Sequence, residues 1–381
     1  MRKVFFLGGL VVAGVLLAAC STTEPTPTST TGPAPTAEPS ATPVPTLEAA
    51  TTVAPRPTQT PRPTATPTQT PTRTPTPTST ATATAAATPV PTPAPLQGWV
   101  RVAVWGRGSA LPASFEGPNG IAIDSDDNVY VTEFFGNRVQ KFANDGSLLA
   151  QWGEAGDGPG QFQFPTGIAI DSEGNVYVSE SGNHRVQKFT SNGEFITSWG
   201  SDGTGPGQFL SAMVVAVSPD DRVYVTDWGN SRVQIFDKEG AFLWDWQAVT
   251  SAEDRLTNPT GLTFDPAGNL YVVDRGNNRV VRFTSQGAFM AQWDEAGARP
   301  GQFLTPTSIA FDAQGNFYVS EVGNSRIQRF SATGEFIEEI APVTFAMPHG
   351  LGFDSAGALY IADTGNAVVK VFRFFVDGNA Q

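Results

Sequence analysis

A tryptophan recurs every 47 residues, at Trp105, Trp152, Trp199, Trp246 and Trp293, and Ile340 holds the next position. The turn aspartate Asp124 returns at the same period as Asp171, Asp265 and Asp312, with Ser218 substituting once and Asp354 arriving five residues early. A fixed period of this size marks a repeat architecture: one supersecondary unit is copied, and each copy buries its apolar face only against its neighbours.

The copy ending at Trp199 reads as four short strands with turn chemistry between them. Strand a is Gly167–Ile170, and Asp171-Ser-Glu-Gly-Asn supplies an Asx cap and a glycine for a hairpin turn. Strand b is Val176–Ser179, strand c is Arg185–Phe189, and strand d is Phe195–Trp199 after the turn Thr190-Ser-Asn-Gly193. Four antiparallel strands per repeat predict a β-propeller blade. The repeats open with a lone d-like strand, Trp99–Trp105, and close with a, b and c strands only (351–353, 359–362, 368–372). The first strand therefore completes the last blade. The expected fold is all-β: a six-bladed β-propeller of four-stranded antiparallel blades spanning 97–381.

Composition sets off what precedes it. Residues 21–95 hold 26 threonines and 19 prolines, 45 of 75 positions, with no aromatic residue. Such a stretch cannot offset the entropy of ordering, so a disordered Thr/Pro-rich linker is expected. From residue 97 on, 18 Lys and Arg face 33 Asp and Glu, a net charge of −15 (18 − 33). Nucleic-acid binding needs a basic face, so that partner class is excluded.

Arg2 and Lys3 precede an apolar or glycine run from Val4 to Leu17, followed by Ala18-Ala19-Cys20. The run is too short to span a bilayer and suits a secretory h-region. The small residues before Cys20 resemble the bacterial lipobox. That resemblance implies a signal peptide over 1–19, lipidation at Cys20 and an extracytoplasmic protein anchored to the cell membrane or envelope, its only membrane contact being the lipid. No other cysteine is present.

The run Gly182-Asn-His-Arg-Val-Gln-Lys-Phe189 after Val176-Tyr-Val-Ser-Glu180 resembles the NHL repeat, with variants at Gly229-Asn-Ser-Arg232, Gly276-Asn-Asn-Arg279 and Gly323-Asn-Ser-Arg326. The resemblance covers 97–381 and implies a six-bladed propeller used mostly for binding.

An acid closes strand b in every copy: Glu133, Glu180, Asp227, Asp274, Glu321 and Asp363. Five have an arginine five residues on, at Arg138, Arg185, Arg232, Arg279 and Arg326. A residue copied into every blade serves the blade, so these are expected to be structural ion pairs. Asp363 lacks its arginine and reads as the one free acid. Function is expected where copies differ, on the loop face, at Phe134, Phe135, Trp228, Arg275, His349 and Asp363, because aromatics and arginine on loops are recognition hot spots. Only His184 and His349 are histidines, which leaves zinc no cluster. The expectation is a monomeric, non-catalytic scaffold, without cofactor or metal, that recognises a protein, peptide or glycan. The alternative is a metal-dependent hydrolase or lyase of the lactonase-like propeller type, its metal held at the channel mouth by Asp363, His349 and Asn119.

Overall fold

The computed structural model describes residues 98–106, 114–246, 255–340, 344–376 and 379–380. Cys20, the segment 1–19 and the stretch 21–95 lie outside the described residues. Within them the chain forms six antiparallel sheets of four strands each, the last extended by the short strand Asn379–Ala380, which pairs with the end of Val368–Val376. Blade one comprises Pro118–Ile123, Val129–Glu133, Arg138–Phe142 and Leu148–Trp152 as strands a to d. Blade two begins at Pro165–Ile170, blade three at Ala212–Val217, blade four at Pro259–Phe264, blade five at Pro306–Phe311 and blade six at Pro348–Phe353. Each strand a contacts strand a of the next blade, and that of blade six contacts that of blade one, so the ring is closed.

The closure runs through the first strand. Gly98–Gly106 pairs antiparallel with Val368–Val376 and is the fourth strand of blade six. Its Trp105 lies 5.3 Å from the Tyr360 ring in blade six and 5.4 Å from Phe142 in blade one. Trp152 does the same between blades one and two, 6.3 Å from Tyr130 and 6.1 Å from Phe189. The 47-residue tryptophan is therefore a wedge between successive blades, and burying it gives the otherwise two-faced sheets their common core. Ile340, the substitute at that position, is buried as well.

Repeated polar side chains stitch the ring near its axis. Thr132, Ser179, Thr226 and Ser320 of strand b donate to the carbonyls of Thr166, Met213, Thr260 and His349 in the next strand a, at 2.7–2.9 Å. Blades four and six carry Val273 and Ala362 there instead. The same two blades have b–c turns that wind as single 3-10 turns, Arg275–Asn277 and Thr364–Asn366. The irregular blades are thus the ones that carry Arg275 and His349.

Candidate functional site

The repeated acids are fully buried hubs. Arg138, Arg185, Arg232, Arg279 and Arg326 stand 2.6–2.9 Å from Glu133, Glu180, Asp227, Asp274 and Glu321. Each acid also accepts a backbone N–H from the connection leading into strand a, as Glu180 does from Gln163 and Asp274 from Thr257. The acid therefore fixes the loop above its own blade, and none of the six acids lines the channel.

Asp363 departs from the sequence expectation of a free acid. It is fully buried, its Oδ2 lies 2.5 Å from Lys370 Nζ, and it accepts the Ala346 N–H and the Asn366 amide. Val368 occupies the arginine position of the repeat and Lys370 the glutamine position, so the positive charge has moved two residues along strand c. Asp363 is structural and is not a binding residue of the loop face.

The centre of the ring is a channel of about 820 Å³, walled by all six a strands. Its loop-face end is lined by Asn119, Thr166, Met213, Thr260, Thr307 and His349, together with Arg275. Arg275 and Met213 also border a shallower basin of about 560 Å³ on the loop face, walled by Phe134, Trp228, Leu304 and Thr305. Three of the loop-face residues singled out in the sequence, Phe134, Trp228 and Arg275, meet in that basin, and Arg275 and His349 meet at the channel mouth. Phe135 stands apart at 63% exposure, edge-on to Phe134. The apolar side chains Phe164, Leu210, Leu304 and Met347 are exposed as well, and Leu304 lines the basin. They were missed because they sit in the d–a connections, where a 47-residue alignment of Phe164 with Ser211 or of Leu304 with Thr257 was the only available signal.

His349 is held in one orientation. Ser320 Oγ donates to its carbonyl at 2.7 Å. Its Nδ1 lies 2.9 Å from the Met347 carbonyl and 2.9 Å from Thr364 Oγ1. Thr364 Oγ1 donates its own proton to the Pro118 carbonyl, so toward the imidazole it accepts. Both neighbours of Nδ1 are acceptors, which assigns the proton to Nδ1 and leaves the Nε2 lone pair without a partner among the described residues. Burial, opposed by the Met347 hydrogen bond and aided by the positive charge of Arg275, lowers the pKa to about 4, so the ring is neutral at physiological pH. Gly350 follows because a Cβ there would collide with the Asn119 carbonyl of blade one. The close approach of blades six and one thus seats His349 at the mouth.

A divalent cation does not fit this donor set. Asp363 is turned away and neutralised by Lys370, and no carboxylate lines the loop-face end of the channel. Among the described residues no three His, Cys, Asp or Glu side chains cluster as ligands. The aspartates that line the channel, Asp171, Asp221, Asp265, Asp312 and Asp354, sit in the hairpin turns at its far end.

A closed ring of six such blades with a neutral imidazole and a guanidinium at its mouth is a six-bladed NHL-type propeller, and residues 115–142 match the NHL repeat. Residues 154–371 match the virginiamycin B lyase family, to which the chain belongs. Among solved structures, a catalytically inactive histidine-to-alanine variant of virginiamycin B lyase from Staphylococcus aureus with quinupristin is similar, at 19% identity and a TM-score of 0.52 over 70% of this chain and 83% of that one. A gluconolactonase from Xanthomonas campestris aligns at 17% identity with a TM-score of 0.54, over 68% and 87%. At these identities the two structures speak for the fold alone. No curated protein matches. The family overturns the expectation of a non-catalytic scaffold: the blade pattern resembles binding propellers, while the membership is that of an enzymatic one.

Proposed function

We propose that the chain is a lyase-type enzyme that acts on a small molecule seated at the channel mouth, with His349 as the proton acceptor. The observation that carries this reading is the fixed tautomer, with Nδ1–H tied to Met347 and Thr364 and the Nε2 lone pair left without a partner among the described residues. Nε2 takes a proton from a carbon next to a carbonyl. The freed electron pair forms a carbon–carbon double bond as the bond from the adjacent carbon to a leaving oxygen breaks, and that oxygen leaves with the pair. Arg275 anchors the substrate by an electron-rich oxygen. The family membership supports lyase chemistry, and the name of the gluconolactonase neighbour makes ring-opening of a cyclic ester the first substrate type to test.

Purified protein incubated with quinupristin and with β-lactones, whose ring oxygen sits on the carbon next to the one that loses the proton, read by mass spectrometry, tests this. Elimination opens a ring without change of mass, whereas hydrolysis adds one water. His349→Ala is expected to lower turnover by on the order of 10²–10⁴-fold while keeping the fold. Turnover that is unchanged in His349→Ala, or lost on chelation and restored by a divalent ion, overturns the reading.

The setting proposed for this enzyme is outside the cytoplasm, tethered by lipid at Cys20 through the Thr/Pro-rich stretch. Cys20→Ser is expected to move the protein from the detergent to the aqueous phase in a bacterial host. Retention of the mutant in membranes, with its signal removed, argues against the tether.

A further inference from the structure

Arg275 occupies the position after the repeated acid, where the other blades carry Phe134, Ser181, Trp228, Val322 and Thr364. The five repeat arginines each hold a carboxylate, but the Arg275 guanidinium has no ion pair or hydrogen bond among the described residues. Its neighbour Asp274 is fully buried and committed to Arg279, Asn277 and the Thr257 N–H. Burial lowers the pKa of Arg275, so its charge is partly desolvated and uncompensated. Leaving such a charge unpaired is costly. Among the described residues it is also the only cation lining the channel or the basin, in a domain whose net charge is −15 (18 − 33). In a concave site the field of that one charge is concentrated and draws an anion to it. A guanidinium offers two parallel donors, which match one carboxylate, whereas a phosphate dianion gathers more than one cation. Beside it stand Trp228, Phe134, Leu304 and Met213, an apolar wall with no carboxylate.

We propose that the mouth binds an amphipathic monocarboxylate, its carboxylate on Arg275 and its apolar body against Trp228 and Phe134. This narrows the substrate of the site assigned above to a cyclic ester that also carries one free carboxylate; it rests on that reading for turnover, though not for binding. The carboxylate anchors the molecule, and the proton that His349 removes comes from another carbon of it. Occupancy also changes the base. Arg275 is the charged group facing His349; Asp274 and Asp363, on the strands beneath, are consumed by Arg279 and Lys370. A bound carboxylate cancels the Arg275 charge and makes Nε2 a stronger proton acceptor when substrate is present.

The probes are 2-naphthylacetate and its neutral isostere 2-naphthylacetamide, titrated into the full-length protein by calorimetry. The acid is expected to bind about tenfold or more tighter than the amide. Arg275→Gln should erase that preference, Arg275→Lys should keep part of it, and Trp228→Ala should weaken both probes alike. The His349 ring, followed by NMR, should titrate at a higher pH with the acid bound and be unmoved by the amide. Equal binding of acid and amide, a preference that survives Arg275→Gln, or displacement of the probe by inorganic phosphate at equal concentration would overturn the proposal. Binding is read without turnover, so a failed His349→Ala activity test leaves this result standing, and a failed binding test leaves the lyase reading standing.

Discussion

Lys370 Nζ lies 2.5 Å from Asp363 Oδ2 in blade six, where the other five blades pair the same acid with an arginine two residues earlier on strand c. The two substitutions, valine at 368 and lysine at 370, compensate each other in charge. Neither the acid nor its role in holding the Ala346 N–H has been given up.

Removing one partner of a buried pair leaves an uncompensated charge. Lys370→Met is expected to cost about 3–5 kcal/mol in denaturant unfolding. The double change Val368→Arg with Lys370→Gln restores the arrangement of the other blades and should recover most of that loss. A Lys370→Met protein within about 1 kcal/mol of wild type would show that Lys370 is not what compensates Asp363.

The neutral state of His349 gives a pH signature. Its pKa falls from 6.5 to about 4 on folding. Above pH 6.5 both native and unfolded states are neutral, and the histidine contributes no slope. As pH falls from 6.5 toward 4 the unfolded chain binds a proton that the native site refuses, so stability declines, by about 3 kcal/mol across the window. His349→Gln should flatten the curve over that window relative to wild type. Parallel curves for the two proteins would mean the ring is solvated and titrates normally.

Blade six depends on a strand from the other end of the domain. Deleting Gly98–Gly106 removes its fourth strand and Trp105, the wedge between Tyr360 and Phe142, and exposes the edge of Val368–Val376. The truncated protein is expected to aggregate or lose its cooperative melt. A melt like that of the intact chain would show that five complete blades suffice.

Thr305 sits at φ 51 in the left-handed region, which β-branched residues avoid. Asn258, the equivalent residue one blade earlier, sits at φ 49 with a side chain that tolerates it. Thr305→Asn is therefore expected to stabilise the protein by about 0.5–1 kcal/mol, measured by thermal unfolding. A loss of stability would mean that the Thr305 side chain contributes packing at the basin wall that outweighs the strain.

The 47-residue tryptophans, the Asx turns and the acid–arginine spacing made the blade, its number and the closure strand legible in sequence, because each is a local pattern repeated in register and repetition separates it from chance. The loop-face residues Phe134, Trp228, Arg275 and His349 stood out as departures from the repeat for the same reason. Which departures share a site was not legible. Arg275 and His349 are 74 residues apart (349 − 275) and lie in blades four and six, and only closing the ring brings their turns to one axis. The reading of Asp363 failed because a compensating charge on strand c is visible only once strands b and c are paired: Asp363 lies opposite Val368, and Lys370 points to the same face two residues on. The acceptors that fix the His349 tautomer come from Met347 and Thr364, and the proton of Thr364 goes to Pro118, 246 residues away. A periodic sequence determines the unit and its count. The chemistry at the axis is set by contacts between units, and those exist only in the folded ring.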